Sequence, residues 1–337
     1  MSGHALRQLT TLGIIISTSA CDNVEWGGVD VRLVPSPEAS IGTAGRTAEP
    51  EATGSFALPT GAVLYMATRD SSSAFVIPVG EIAGDSLLPF RDERSASGYR
   101  AAFARELMAP GTRFTLFSAG VRVGTLTVRD VGTDESFCTP RPRATGPVEL
   151  VPDAVQATRF LALPESSTRS ASYQEYSPLE HNLAQRTAGI DIAMELIPQI
   201  GAAWPSSIVD ARRDIAAFRL TDGRPAVSTT FLFRDEARIQ PAQAASYALY
   251  LMATPEGNQY RPAYFWYREA RREGKGVPRY FQHLDWDGDG ETEVLLEVLG
   301  ERFRWTAVIQ PAGDGWTRTF EDPCGAAAPP VQARTGD

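Results

Sequence analysis

The sequence predicts a mainly β protein: a β-rich α+β fold of two antiparallel β domains, the second carrying one N-terminal amphipathic helix. Three observations carry this. From Ile208 to Phe320, short runs rich in β-branched and aromatic residues follow one another, each closed by glycine, proline or aspartate. Arg113–Phe117 and Val121–Val128 alternate apolar with polar residues across Ser118-Ala-Gly120, a hairpin turn. Helical spacing is confined to Ser97–Met108 and to a stretch opening at Ser177. The predicted organisation is a signal peptide over 1–20, a flexible tether over 21–54, a small β-sandwich or barrel over 55–165, a helix plus antiparallel meander over 166–325, and a disordered tail over 326–337.

The first twenty residues hold one charged side chain, Arg7, then an apolar run from Leu9 to Ile16, then small residues up to Cys21. That order is a signal peptide, and the run is too short for a spanning helix. A cysteine directly after small residues resembles the lipobox of bacterial lipoproteins. The resemblance implies that Cys21 is lipidated and becomes the first mature residue, in a bacterial cell envelope, anchored to a membrane and facing the periplasm or exterior. Cleavage after Ala20 with Cys21 left free is the alternative. Residues 22–54 are rich in Pro, Gly, Ala, Thr and Ser, a composition that cannot bury enough surface to offset ordering entropy.

About 280 residues follow, enough for one large or two ordinary domains. Their apolar share, 43% for the whole chain, suffices for a core. The formal charge of -9 argues against nucleic acid as a partner. Of three cysteines, Cys138 and Cys324 remain once Cys21 carries lipid, and outside the cytoplasm such a pair tends to oxidise to a disulfide.

In the first half, Gly61–Ala67 reads as a strand, followed by the helix Ser97–Met108 and the hairpin at 113–128. Pro140, Pro142 and Pro147 mark an irregular stretch after Cys138. Ser177-Pro-Leu-Glu180 has the form of a capping box, with proline at the first helical position. The helix then runs to about Leu196 with Leu179, Leu183, Ile190, Met194 and Ile197 on one face, and Gly189 weakens its middle. The strands beyond are Ile208–Leu220, Ala226–Phe233, Ser246–Met252, Tyr260–Arg268, Pro278–Leu284, Glu293–Leu299, Phe303–Gln310 and Trp316–Phe320. Their short connections imply a meander.

The densest chemistry lies in Asp285-Trp-Asp287-Gly-Asp289-Gly-Glu291-Thr-Glu293. Alternating carboxylates with glycines between them suit calcium, which takes six to eight oxygens in a flexible shell. Asp285, Asp287 and Asp289 are assigned as side-chain ligands, Glu291 through its backbone carbonyl, and Glu293 through its carboxylate. An EF-hand is excluded, because its twelfth position here is Leu296 and the flanks read as strands. The pattern between two strands resembles the calcium loops of FG-GAP and VCBS-type repeats. The resemblance covers about twenty residues, in a single copy, and implies a structural calcium site. Gly84-Asp85-Ser86-Leu87 spells the name of the GDSL esterases, but no Asp-x-x-His follows: Pro178 and Tyr280 precede His181 and His283 where an aspartate should stand.

Anchor, tether, calcium loop and disulfide together describe an exported binding or scaffold lipoprotein with a protein or glycan ligand. The alternative is an extracytoplasmic hydrolase of glycan or ester substrates, with His283 and the pair Glu291 and Glu293 as its candidate groups. A cleft gathering His283, carboxylates and aromatics would separate it from a loop pointing into solvent alone.

Overall fold

The computed structural model describes residues 57–90, 96–167 and 174–323. Cys21, Cys324 and the stretches predicted as signal peptide, tether and tail lie outside the described residues. The described residues form one compact unit. Among the described residues no helix is long and apolar enough to cross a membrane.

The protein is mainly β, as its alternation predicts. Eight strands come first: β1 (Val63–Asp70), β2 (Ser73–Ala83), β3 (Ser86–Pro89), β4 (Arg113–Ser118), β5 (Val121–Thr127), β6 (Asp130–Asp134), β7 (Arg141–Leu150) and β8 (Arg159–Pro164). Their order is β3-β2-β1-β8-β4-β5-β7-β6, and β2 also pairs with β7. That extra pairing closes β1, β8, β4, β5, β7 and β2 into an antiparallel ring, with β3 and β6 as flanking strands. Side chains from all six ring strands, among them Tyr65, Val76, Phe114, Leu126, Ala144 and Phe160, form one core. Helix α1 (Ala96–Leu107) adds Tyr99 and Phe103 to it. The stretch read as irregular is strand β7, which includes Pro142 and Pro147. It changes partner along its length, from β6 to β2 to β5, so no single ladder has to run unbroken through both prolines.

The helix after the barrel starts later than its sequence pattern predicts. Helix α2 spans Leu183–Gln199. Its capping box is Asn182 with Gln185: the Gln185 N–H donates to Asn182 Oδ1 at 3.0 Å, and the Asn182 N–H to Gln185 Oε1 at 2.9 Å. Ser177–His181 has no regular secondary structure. The buried face is also rotated from the predicted stripe. Gln185, Gly189, Ile192, Ala193, Leu196 and Ile197 are buried, while Leu183 and Met194 are exposed.

Gly189, which propensity alone scores as a weakness, is the point of closest approach to the sheet beneath. A Cβ there would stand 2.8 Å from Thr229 Oγ1. Helix propensity predicts that Gly189→Ala stabilises by about 1 kcal/mol; the contact reverses the sign. Gly189→Ala is expected to lower stability by about 1–3 kcal/mol in urea unfolding. A stabilised variant would show that the helix is not seated by this contact.

A short helix, α3 (Ile208–Ala211), occupies the start of what reads as a strand, because Ser207 Oγ accepts the Asp210 N–H and caps it. The predicted single meander is two. Strands β9 (Arg212–Arg219), β10 (Pro225–Phe233), β11 (Tyr247–Glu256) and β12 (Gln259–Glu269) form one sheet. After α4 (Ala270–Glu273), strands β13 (Val277–Leu284), β14 (Glu293–Leu299), β15 (Arg304–Ala312) and β16 (Gly315–Glu321) form another.

This last sheet is the middle layer. Phe281, Leu284, Leu295 and Val308 pack on the barrel's outer residues Leu64, Met66, Ile77 and Leu161. Val294, Leu296, Val298 and Trp305 pack on Phe218, Tyr250 and Met252 of the β9–β12 sheet. Every residue of β14 is therefore buried, and its run of apolar side chains serves two cores. The opposite face of the β9–β12 sheet holds α2. The first of these cores crosses the boundary at 165/166, so that division separates sheets within one packed body.

Candidate functional site

The loop between β13 and β14 is shaped by its own aspartates. The Gly288 N–H donates to Asp285 Oδ1 at 2.7 Å and the Gly290 N–H to Asp285 Oδ2 at 3.1 Å. Asp287 Oδ1 accepts from the Asp289 N–H, and Asp289 Oδ1 from the Glu291 N–H. Such short side-chain-to-backbone bonds curl the chain back on itself. Gly288 and Gly290 supply the left-handed backbone that the curl needs, at φ 84° and 92°.

The curl gathers carboxylates into two overlapping groups. Asp285, Asp287 and Glu293 can each offer an oxygen so that all three lie within 4.8 Å of one another. Asp85, Asp287 and Asp289 can do the same. A spread of that size matches the diameter of a calcium shell with oxygens about 2.4 Å from the ion. Asp287 belongs to both groups, and its Oδ2 is buried with no hydrogen-bond partner. Glu293, the first residue of β14, is 2% exposed, and its Oε2 accepts the Trp286 N–H at 3.0 Å.

The electrostatics follow from this crowding. Burial, with Asp287, Asp285 and Asp289 adding to it, pushes the Glu293 carboxyl up to about 9, against the Trp286 N–H acting the other way. Burial also raises Asp287, and Asp289, Asp285 and Asp85 push it further up. A divalent cation among these groups would reverse that balance, because its own charge becomes the largest in the site.

The Glu291 carbonyl, assigned as a ligand, accepts the Thr221 hydroxyl at 3.2 Å with one of its two lone pairs, and the Glu291 side chain is exposed and outside both groups. Asp85, a member of the second group, was not singled out by the sequence. It sits in the tight turn between β2 and β3, where Gly84 has φ 60°, and Gln310 Nε2 donates to its carbonyl at 2.9 Å. The GDSL-like tetrapeptide is thus a barrel hairpin leaning on the middle sheet. Its Ser86 hydroxyl is exposed and donates to the Ala83 carbonyl.

Beside the loop lies a cleft of about 760 Å³. It is bounded by the β4–β5 hairpin, the β9–β10 turn, the strap around Glu175–Leu179, and the chain from His283 to Gly288. It therefore gathers His283, Asp285, Asp287 and Trp286 together. His283 is buried against Phe218, with ring centres 4.8 Å apart, and its Nδ1 lies 2.6 Å from the Tyr280 hydroxyl. Burial holds its imidazole down at about 4, and the Arg219 backbone works in the opposite direction. No serine or threonine hydroxyl is hydrogen-bonded to Nε2, so no hydroxyl nucleophile is paired with it. His181, the other histidine of the second half, is exposed near the start of α2.

No family model matches the chain, and no curated protein and no solved structure matches it either.

Proposed function

We propose that the chain is an exported, membrane-anchored binding or scaffold lipoprotein in which calcium organises the β13–β14 loop. One observation carries the metal reading. A buried glutamate, Glu293, is brought together with two further carboxylates, one of which has a buried oxygen that no protein group satisfies. Packed carboxylates repel unless a proton or a cation intervenes, and a dication stabilises several at once. The donors are all carboxylate oxygens, which suit a hard cation, and calcium tolerates an irregular shell better than magnesium with its stricter octahedron.

Asp85 extends the proposal. A cation held by Asp85 as well as Asp287 and Asp289 ties the barrel's β2–β3 hairpin to the middle sheet, so its role is structural. Calorimetric titration of the full chain with calcium and with magnesium tests the site. Micromolar or tighter calcium binding, much weaker magnesium binding and a several-fold loss in Asp85→Asn are expected. No heat with calcium up to millimolar concentration removes the reading.

The anchor and the Cys138–Cys324 disulfide rest on the sequence pattern. The pairing is supported by the buried ion pair Arg141–Asp322, which holds the strand just after Cys138 against the segment just before Cys324. Mass spectrometry of protein isolated from envelopes tests both. A diacylglyceryl mass on Cys21 and a cross-linked Cys138–Cys324 peptide under non-reducing digestion are expected. A chain beginning at an unmodified Cys21 supports secretion by simple cleavage instead.

The hydrolase alternative gains the cleft but not the machinery. His283 is oriented by a tyrosine rather than a carboxylate, and its other ring nitrogen, also buried, meets no serine or threonine hydroxyl. A binding role fits this arrangement better.

A further inference from the structure

The chain leaving the carboxylate loop is fastened to the turn between β9 and β10. The Thr221 N–H donates to Thr292 Oγ1 at 2.7 Å, the two threonine hydroxyls lie 2.8 Å apart, and the Thr221 hydroxyl donates to the Glu291 carbonyl at 3.2 Å. All three bonds form together when the Thr292 hydroxyl donates to Thr221, so that each hydrogen is used once. Thr292 is 3% exposed, whereas Thr221, Asp222, Gly223 and Arg224 are exposed. Within the turn, the Gly223 N–H donates to the Leu220 carbonyl and the Arg224 N–H to Asp222 Oδ1. Those local bonds shape the turn, and the threonine bonds seat it on the loop.

We infer, on the basis of the calcium reading, that Thr292 is a positioning residue through which a cation in the loop also orders the β9–β10 turn. Two short routes lead from the carboxylate groups to Thr221. Asp289, grouped with Asp85 and Asp287, accepts the Glu291 N–H, and the Glu291 carbonyl accepts the Thr221 hydroxyl. Glu293, grouped with Asp285 and Asp287, is the chain neighbour of Thr292, which accepts the Thr221 N–H. Without a cation the crowded carboxylates repel, which spreads the loop and loosens both routes; a cation draws the carboxylates together and fixes Glu291 and Thr292 between them. An exposed turn held by few bonds opens at low cost, so its order depends on what seats it. The effect reaches the cleft. Leu220, Thr221 and Gly223 line it beside Asp285, Asp287 and Gly288. The cation thereby sets two adjoining stretches of one cleft wall, the first by ligation and the second through Thr292.

Hydrogen exchange of the full chain, read by mass spectrometry in millimolar calcium and in chelator, tests this. In wild type, calcium is expected to slow exchange in peptides covering 285–292 and also in those covering 220–224, the latter by about fivefold, the scale of one hydrogen bond. The Gly223 and Arg224 amides bond within the turn, so they report its opening without touching Thr292. Thr292→Val should keep the calcium effect on 285–292 and lose it on 220–224, and Thr292→Ser should restore it. Thr221→Val changes an exposed residue and removes the same hydroxyl pairing; it should weaken the effect on 220–224 in the same way, and it decides the matter if Thr292→Val does not fold. Calcium protection of 285–292 without 220–224 in wild type overturns the inference and leaves the calcium site standing. An undiminished calcium effect on 220–224 in the valine variants overturns it as well. So does faster exchange there by the same factor in both buffers, because Thr292 is then a static tie. No calcium effect on either segment removes the calcium reading and the coupling with it.

Discussion

The wild-type protein is expected to melt about 5–10 °C higher in excess calcium than in chelator, and Asp287→Asn/Asp289→Asn to lose that difference. A ligand present at about a hundred times its dissociation constant stabilises the state it binds by ~2.7 kcal/mol. For a domain approaching this size, each kcal/mol moves the midpoint by roughly 2–4 °C. Asparagine is the informative replacement because its side-chain oxygen can still accept the Asp289 and Glu291 N–H groups that shape the loop. What it removes is charge. In chelator the variant should therefore melt no lower than wild type, since two members of a repelling cluster are neutralised. In calcium it should melt lower. Scanning calorimetry of the two proteins in both buffers reads the crossing directly. Parallel curves, with the same calcium shift in each, would place the cation elsewhere or nowhere.

The aspartates of that loop were legible in the sequence because their spacing is local: the same chain segment supplies Asp285, Asp287, Asp289 and Glu293. Asp85 was not, because it reaches the cluster from two hundred positions away through the packing of a barrel hairpin on the middle sheet, and its neighbours spell a misleading motif. The strands of the second half were legible for a similar reason. Each is short, alternating or fully apolar, and closed by turn residues. Their division into two sheets was not, since β12 and β13 lie next to each other in sequence and only the three-dimensional layering shows that they do not pair.

In the barrel, β2 carries Pro78 and Gly80 and β7 carries Pro142 and Pro147, residues that ordinarily argue against a strand. Partner changes and a bulge accommodate them, and neither is written in local composition. The start of α2 failed on a subtler point. Ser177-Pro-Leu-Glu180 and Asn182-Leu-Ala-Gln185 both have capping form, and burial of Gln185 and Gly189 against the sheet selects the second.

Asp322→Ala is expected to cost about 3–5 kcal/mol, the largest stability loss of any single substitution considered. The pair it breaks is almost fully buried: Arg141 is 2% exposed and Asp322 1%. Arg141 Nη2 donates to Asp322 Oδ1 at 2.5 Å, Nη1 donates to the Pro78 carbonyl at 2.6 Å, and the guanidinium lies 4.4 Å from the centre of the Phe137 ring. Asp322 Oδ2 accepts both the backbone N–H and the hydroxyl of Thr306. One carboxylate therefore fastens the end of β16 to β15 and to the barrel strands β2 and β7.

Removing it leaves a guanidinium buried without its counter-charge, and that desolvated charge dominates the loss. Asp322→Asn separates the contributions. The amide oxygen can keep the Thr306 bonds, so if charge is the cause the loss should remain close to that of Asp322→Ala. If the Thr306 bonds are the cause, most stability should return. Replacing both partners, Arg141→Met with Asp322→Leu, removes the buried charges together and should cost less than Asp322→Ala alone. Urea unfolding of wild type, the single variants and the double variant completes the cycle. A loss below about 1 kcal/mol for Asp322→Ala would mean that water reaches Arg141, and that this ion pair contributes little to holding the middle sheet on the barrel.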